Sequence, residues 1–341
     1  MCMSDDLSSE QWVKLQDALS IPNLRFRHFK GESDYPHMVD VAEGANEVDQ
    51  LELVISVEDV AREFKHSESW DPYRDLLFAE VDDKAIGFTR LWWSKDPSGI
   101  YLYNQSVDLL PEWRGKGIRN VMLRYSEQKL REIAQTHPAD VPRFFQSIAA
   151  DSEKDWISVL TSEGYDVFRY GYRMVRPDLE GVPDFPFPEG IEVRSVKPEH
   201  YLAIIGAWNE ACKDMRGQIP ISDEDFKGFQ ESPSFNPSIW QIAWHKNEVI
   251  GTILNFVDEQ ENKEYKRKRG HVELISVQRQ WRGRGIAKAM IARSLKLLKD
   301  RGMTEAALGV DAENPSGAFH LYQKMGFKVE KRVAFYRKPM A

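Results

Sequence analysis

The stretch that decides the fold runs from Glu273 to Met290 and reads ELISVQRQWRGRGIAKAM. A strand-like apolar run leads into Q-x-x-G-x-G, and a helix-like run follows. A helix start exposes backbone N–H groups that have no partner inside the helix, and it carries a partial positive charge. Gly283 and Gly285 have no Cβ that would keep a ligand away, while Arg282 and Arg284 add positive charge. The turn therefore predicts a cradle for a pyrophosphate between a strand and a helix.

Taken alone, this turn is equally compatible with a tight strand-to-helix connection that carries solvated arginines. It is not a Walker A motif, because the Gly-Lys-Ser/Thr ending is missing, and its glycine spacing differs from the dinucleotide-binding fingerprint. The run after the turn has an apolar face at helical spacing, which predicts an amphipathic helix that ends near Gly302. That face comprises Ile286, Met290, Ile291, Leu295 and Leu298.

Three pairs of segments recur in the same order along the chain. Gly87 in LLFAEVDDKAIGFTRLWW matches Gly251 in IWQIAWHKNEVIGTILNF, 164 residues later. EWRGKGI, which begins at Glu112, matches QWRGRGI after 168 residues, and LTSEGYDV, which begins at Leu160, matches YQKMGFKV after 162 residues. Three matches at nearly constant spacing indicate the duplication of a whole domain.

The repeat predicts how the chain is divided. Residues 1–19 form an extension, in which Ser9 to Leu19 could be a short helix. Residues 20–177 form the first copy, 178–189 a Pro-rich linker and 190–341 the second copy. The boundary lies in RPDLEGVPDFPFPEG, whose four prolines and two glycines are typical of an extended connection. Each copy reads as strand, helices, strand meander, glycine-rich turn, helix, strand, helix and strand, which is an α/β pattern.

V-x-x-x-x-R-G-x-G-I-A, from Val277 to Ala287, resembles the acetyl-CoA-binding signature of the GNAT superfamily of N-acetyltransferases. NPSGAFHLYQKMGF, from Asn314 to Phe327, resembles the second hallmark of that superfamily. The tandem arrangement resembles mycothiol synthase, a two-copy type within it. The resemblance implies two tandem GNAT-like domains, each a mixed, largely antiparallel sheet flanked by helices.

The resemblance also implies a site in the second copy that takes acetyl-CoA as co-substrate. Tyr322 resembles the family's general acid, although such a tyrosine could simply belong to the core. Glu273 could take the proton of the amine, or could be a solvated carboxylate that orients the substrate. An oxyanion donor is expected at a backbone N–H near Ile275. The cofactor-binding residues would be Ile275, Ser276, Val277, Arg282, Gly283, Arg284, Gly285, Ile286, Ala287, Asn314, Ala318 and Tyr322.

The first copy lacks the residues that are proposed for catalysis in the second. Leu160, Ser152 and Gln105 occupy the positions of Tyr322, Asn314 and Glu273. The first copy is therefore expected to be structural, or to bind the cofactor without turnover, and Arg119 in the place of Ala287 could crowd its site. The residues that keep cofactor binding possible there are Leu109, Arg114, Gly115, Lys116 and Gly117.

The composition of the chain limits the classes of partner and the cellular location that can be expected. The net charge of −8 disfavours a general nucleic-acid binder, which would carry the opposite sign. No apolar run reaches the ~20 residues that span a bilayer, and the first residues do not read as a signal peptide. The two cysteines, Cys2 and Cys212, predict no disulfide framework, which favours a cytoplasmic location. No spacing of His, Cys or acidic residues suggests a metal site.

The acceptor is expected to be a primary amine of a small molecule or a peptide. Two alternatives stay open: a cysteinyl-sugar amine, as in mycothiol synthase, and a CoA-binding sensor or scaffold without catalysis. The basic run from Lys263 to Gly270 is interpreted as a solvated loop between two strands, and His271 as a strand residue. The sequence leaves the oligomeric state open.

Overall fold

The structure is a computed structural model that describes residues 12–15, 17, 19–66, 70–213, 219–313 and 317–340. None of its helices, within these ranges, combines the length and apolar character that crossing a bilayer requires. The first half contains β1 Leu24–His28, α1 Tyr35–Asp49, α2 Val57–Lys65, α3 Pro72–Asp75, β2 Leu77–Val81, β3 Lys84–Lys95, β4 Tyr101–Leu109, α4 Ile118–Ala134, β5 Arg143–Ala150, α5 Lys154–Ser162 and β6 Asp166–Arg176. The second half contains β7 Ile191–Val193, α6 Tyr201–Ala211, α7 Asp223–Gln230, β8 Gln241–His245, β9 Glu248–Phe256, α8 Glu259–Glu264, β10 Arg269–Val277, α9 Ile286–Asp300, β11 Glu305–Asp311, α10 Ala318–Lys324 and β12 Lys328–Pro339.

All twelve strands join one sheet in the order β1-β2-β3-β4-β5-β12-β6-β11-β10-β9-β8-β7. The pairs β4–β5 and β10–β11 are parallel, and the other neighbours are antiparallel. The prediction of a mixed, largely antiparallel sheet flanked by helices is confirmed. The repeated glycines allow strands to approach closely: a Cβ at Gly87 would lie 2.7 Å from the Asp108 carbonyl oxygen, and one at Gly251 would lie 3.1 Å from that of Ser276.

The two halves of the sheet exchange their last strands. β12, the last strand of the second copy, pairs with β5 of the first copy along Val333 to Pro339. β6, the last strand of the first copy, pairs with β11 of the second copy between Gly171 and Arg176. β12 and β6 also pair with each other at the centre of the sheet. Each half is therefore completed by a strand from the other copy.

The expected helix after the glycine-rich turn is α9, and the apolar face predicted for it is buried. The Pro-rich segment packs along this helix. Leu179 is buried in the core of the second copy, Phe185 lies under the Lys288 ammonium at 3.8 Å, and Asp184 pairs with Lys296 at 2.9 Å. The segment thus covers one side of α9.

Two expectations are wrong. The described residues within Ser9 to Leu19 are not helical, and the Val13 N–H instead donates to the Phe26 carbonyl beside β1. The expectation of a solvated loop is wrong only for part of the basic run. Lys263, Lys266 and Lys268 are exposed, but the run includes the end of α8 and the start of β10, and the Arg269 side chain is 3% exposed. The Arg269 guanidinium pairs with Glu305 at 2.6 Å and with Glu330 at 2.7 Å. The charge of Arg269 is therefore buried and paired with carboxylates that are distant from it in the sequence.

Candidate active site

A cavity of about 1300 Å³ opens beside β10 and the glycine-rich turn. Arg284 is not part of its wall, since its guanidinium lies over the Trp281 ring at 4.8 Å. Asn314 lies outside the described residues. The other residues predicted for the second copy all line this cavity: Glu273, Ile275, Ser276, Val277, Arg282, Gly283, Gly285, Ile286, Ala287, Ala318 and Tyr322.

The glycine-rich turn adopts a conformation that favours glycine at two positions. Gly283 has φ 76°, and Gly285, the N-cap of α9, has φ 82°. A Cβ at either residue would meet no atom within 4 Å, so backbone conformation and not crowding selects glycine here. The helix start and three basic residues of the wall, Arg279, Arg282 and Lys288, make this end of the cavity suitable for an anion.

The Arg282 side chain supports the turn from behind. Its Nε donates to the Val277 carbonyl at 3.0 Å, and its Nη2 donates to the Ala211 carbonyl at the end of α6 at 2.8 Å. Gln278 ties the same helix to the turn through a bond from its Nε2 to the Ala207 carbonyl at 2.9 Å. Sequence reasoning assigned Arg282 to cofactor binding, and it did not include α6, whose Trp208 and Ala211 line the cavity.

β10 separates from β11 next to this turn. The two strands pair only from Arg269 to His271. On the other side of β10, the pairing with β9 skips Leu274 and Ile275, and Leu274 has φ 47°. Such a bulge bends a strand and redirects its side chains. The result is a gap between β10 and β11 that forms part of the cavity.

Glu273 lies in this gap. Its carboxylate accepts a hydrogen bond from the Gly309 N–H of β11 at 3.0 Å. Burial raises the pKa of Glu273 to about 7, although the nearby His271 and the Gly309 hydrogen bond act in the opposite direction. A carboxyl group with a pKa near neutrality can accept and release a proton under ordinary conditions.

Tyr322 of α10 shares the cavity with Glu273. Its side chain is only 5% exposed, and its ring lies against Phe327 with a centroid distance of 6.2 Å. Burial, and secondarily the charge of Glu273, raises the pKa of Tyr322. The phenol therefore keeps its proton at neutral pH and can donate it. Tyr322 packs in the core of the second copy and also lines the cavity, so its role as a general acid stays a prediction.

Sequence reasoning missed the far wall of the cavity. This wall comes from the exchanged strands, with Arg169, Gly171, Tyr172 and Arg173 on β6 and Val333 and Phe335 on β12. Arg169 pairs with Asp311 of β11 and lies over the Phe335 ring at 3.8 Å. The wall of the cavity therefore comes from both copies.

The corresponding place in the first copy is far smaller than the cavity of the second. Its cavity measures about 150 Å³ and includes Leu109, Gly115 and Gly117. The Arg119 side chain is 5% exposed, pairs with Asp155 at 2.9 Å and lies over the Trp156 ring at 5.5 Å. Arg119 of α4 and the α5 residues Asp155 and Trp156 thus lie beside the first turn of α4. The second copy has open space at the corresponding place.

Neighbouring residues close this place further. A Cβ at Gly117 would lie 3.3 Å from Leu19 of the N-terminal extension. Arg114 pairs with Asp49 at 2.7 Å, and Lys116 lies over the Trp113 ring at 4.4 Å. The two positions that match the proposed catalytic pair are buried in the core, with Leu160 at 0% and Gln105 at 1% exposure.

Comparison with known proteins agrees with this geometry. The model of the Acetyltransferase (GNAT) family matches residues 205–327. The N-alpha-acetyltransferase MAK3 of Arabidopsis thaliana is 30% identical over 151 residues, which is 44% of this chain and 73% of that protein. A mycothiol acetyltransferase of Streptomyces bingchenggensis is 25% identical over 271 residues, 77% of this chain and 80% of that protein.

Solved structures show the same fold. A GCN5-related N-acetyltransferase from Sphaerobacter thermophilus superposes with a TM-score of 0.71 at 24% identity, covering 93% of this chain and 96% of that one. A tandem GNAT protein from the clavulanic acid biosynthesis pathway gives a TM-score of 0.65 at 13% identity, covering 93% and 98%. The chain has the glycine-rich turn and the gap between β10 and β11, and it matches these relatives. It therefore belongs to the GNAT family of acetyltransferases.

Proposed function

We propose that this protein transfers an acetyl group from acetyl-CoA directly to a primary amine of a small molecule or peptide, in the cavity of the second copy. One observation carries the proposal: Glu273 and Tyr322 line the same cavity as the glycine-rich turn. Burial gives Glu273 a pKa of about 7 and keeps Tyr322 protonated. A base and an acid thus stand beside a cradle for a pyrophosphate.

The chemistry follows from these positions. The amine nitrogen attacks the thioester carbonyl, and Glu273 accepts the proton that the amine loses, directly or through a water. The backbone N–H of Ile275, in the bulge of β10, donates to the oxyanion that forms. The C–S bond then breaks, and Tyr322 donates its proton to the departing thiolate. The first copy holds no second cofactor, because Arg119, Asp155 and Trp156 occupy its site.

A second candidate is the acetylation of a cysteinyl-sugar amine. It is favoured by the match to the mycothiol acetyltransferase of Streptomyces bingchenggensis, which extends over 77% of this chain and therefore beyond a single copy. The reaction steps would be the same, and only the acceptor would differ.

The test is the formation of the N-acetylated product, measured by mass spectrometry, from acetyl-CoA and a panel of amines that includes peptide N-termini and a cysteinyl-glucosamine compound, with an enzyme-free control for each amine. Turnover with one class of amine identifies the acceptor. Tight binding of CoA by calorimetry without turnover of any amine would overturn the enzymatic proposal and favour a CoA-binding sensor.

A further inference from the structure

Glu52 reaches out of the first copy to the strands around the cavity. It lies between α1 and α2, and its carboxylate accepts hydrogen bonds from Arg173 of β6 at 2.6 Å and from Arg267 before β10 at 2.9 Å. The Lys331 ammonium of β12 lies 3.5 Å away. Glu52 has φ 55°, a left-handed conformation that is costly for a residue other than glycine. A strained backbone thus brings one carboxylate to four cations, the fourth being Arg269, whose Nη1 lies 3.9 Å away.

This carboxylate is ionised at neutral pH. Burial alone would raise the pKa of Glu52, but the hydrogen bond from Arg267 and the charges of Arg173 and Lys331 outweigh it and lower the pKa. Charge-assisted hydrogen bonds of this kind are stronger than neutral ones. Glu52 is therefore a charged anchor where elements of both copies meet.

Arg173 lies on the same face of the sheet as the proposed catalytic base. It is the cross-strand partner of Gly309, whose N–H donates to Glu273. A Cβ at Gly309 would point to the Glu273 carboxylate, with 3.6 Å to its nearer oxygen. Directly opposed residues of an antiparallel pair project to the same face of a sheet. The Arg173 side chain and the Glu273 carboxylate therefore lie on the same side of the sheet.

Two carboxylates fix the Arg173 guanidinium. Glu330 accepts from its Nε at 2.7 Å and Glu52 from its Nη2 at 2.6 Å, so that its plane is held at two of three nitrogens. Within the described part of the chain, its Nη1 has no protein partner, and Arg173 lines the cavity. A planar guanidinium held in this way can donate to an oxygen atom in a defined direction.

We propose that Arg173 binds an oxygen atom of the acceptor and that Glu52 is the positioning residue that orients Arg173. The first copy then takes part in acceptor selection in the second. The chemistry favours a primary amine that also bears a neutral carbonyl or hydroxyl oxygen, because the charges around Arg173 already balance. Four carboxylates (Glu52, Glu261, Glu305 and Glu330) pair there with four cations (Arg173, Arg267, Arg269 and Lys331). This inference rests on the proposed function.

The experiment uses the full-length protein and two acceptors of equal size, alaninamide and the amine in which an isopropyl group replaces the carboxamide. We expect Glu52→Gln to lower the preference for alaninamide, as the ratio of kcat/KM values, by roughly tenfold, or about 1.4 kcal/mol. The KM for acetyl-CoA should not change. Arg173→Gln should lower the preference similarly, and the double variant should add little, since the two residues act as a unit.

Glu47→Gln is the matched control, because Glu47 is an exposed glutamate of α1 with no ion pair in the described structure. An equal loss for both amines in Glu52→Gln, or a fall in Tm with an unchanged preference, would overturn the inference and leave Glu52 a structural residue.

Amide hydrogen exchange provides a readout that does not need turnover. We expect Glu52→Gln to increase exchange along β6 relative to Glu47→Gln, and unchanged exchange there would contradict the inference. A wild-type protein that acetylates no amine would instead contradict the proposed function.

Discussion

Trp156 of α5 occupies the position in the first copy that Ala318 of α10 occupies in the second, eight residues before the matching glycines Gly164 and Gly326. Ala318 leaves room in the wall of the large cavity, whereas Trp156 is 2% exposed and lies beneath Arg119. An indole and a guanidinium thus fill a space that is open in the second copy. The duplicated turn is retained in both copies, but only one of them has room beside it.

We therefore expect one CoA per chain, bound in the second copy. Gly285 and Gly117 have the same φ of 82°, so alanine at either position carries a similar backbone strain of roughly 1–2 kcal/mol. Gly285→Ala should weaken CoA binding at least about tenfold, and Gly117→Ala should leave the affinity unchanged. Isothermal calorimetry measures both quantities. A stoichiometry of two in the wild type would show that Arg119 and Trp156 move aside for the cofactor.

Removal of the Tyr322 hydroxyl should slow catalysis with little effect on binding. We expect Tyr322→Phe to lower kcat about a hundredfold, the lower end of the usual contribution of a general acid. The KM for acetyl-CoA should stay within about twofold. Tyr165→Phe is the control, because Tyr165 is a buried tyrosine of the first copy whose hydroxyl donates to Glu127 at 3.0 Å. If the two variants lose activity equally, Tyr322 has a packing role only.

The activity should rise with pH through the pKa of Glu273. Below about pH 7 its carboxyl group is protonated and cannot accept the proton of the amine, so kcat/KM should fall about tenfold for each further pH unit. Glu273→Gln should lose this limb and keep the limb that belongs to the amine substrate itself. A profile of kcat/KM against pH at fixed ionic strength measures both limbs. Persistence of the limb near pH 7 in Glu273→Gln would assign the titration to another group.

His66 should make stability depend on pH. It follows α2, and its ring nitrogens lie 2.6 Å from Glu224 of α7 and 3.0 Å from Glu231. The carboxylates of Glu231 and Glu224 beside its ring raise the pKa of His66 above its ordinary value. For a pKa raised by folding, the stabilisation is complete below the unfolded value of about 6.5 and is lost as pH rises through the folded value.

The Tm difference between the wild type and His66→Gln should accordingly be largest below about pH 6 and shrink in alkaline buffer. Thermal denaturation across this range measures it. His37→Gln changes an exposed histidine of α1 and should give no such trend. A Tm difference that is constant with pH would mean that the ring contributes through packing and not through charge.

The sequence predicted the features that local pattern controls. The glycine-rich turn, the apolar face of α9 and the order of elements all follow from spacing within a short window. The exchange of β6 and β12 does not follow from spacing, because the residue pattern of a strand does not specify which strand lies beside it. Pairing within each copy would cover these two strands as well as the observed exchange does. The far wall of the cavity was missed for that reason. Arg267 was interpreted as solvated because its partner Glu52 lies 215 residues away, beyond any local pattern.

The exchanged strands also determine the order in which the protein can mature. β12 is synthesised after β1 to β11, yet it is the only neighbour that the described strands offer β5 on that side of the sheet. Until then the nascent first copy keeps an open β-edge, the kind of surface on which chains aggregate. Contacts so distant in sequence also form slowly. The first copy is therefore completed only after β12 has been synthesised, together with the second copy.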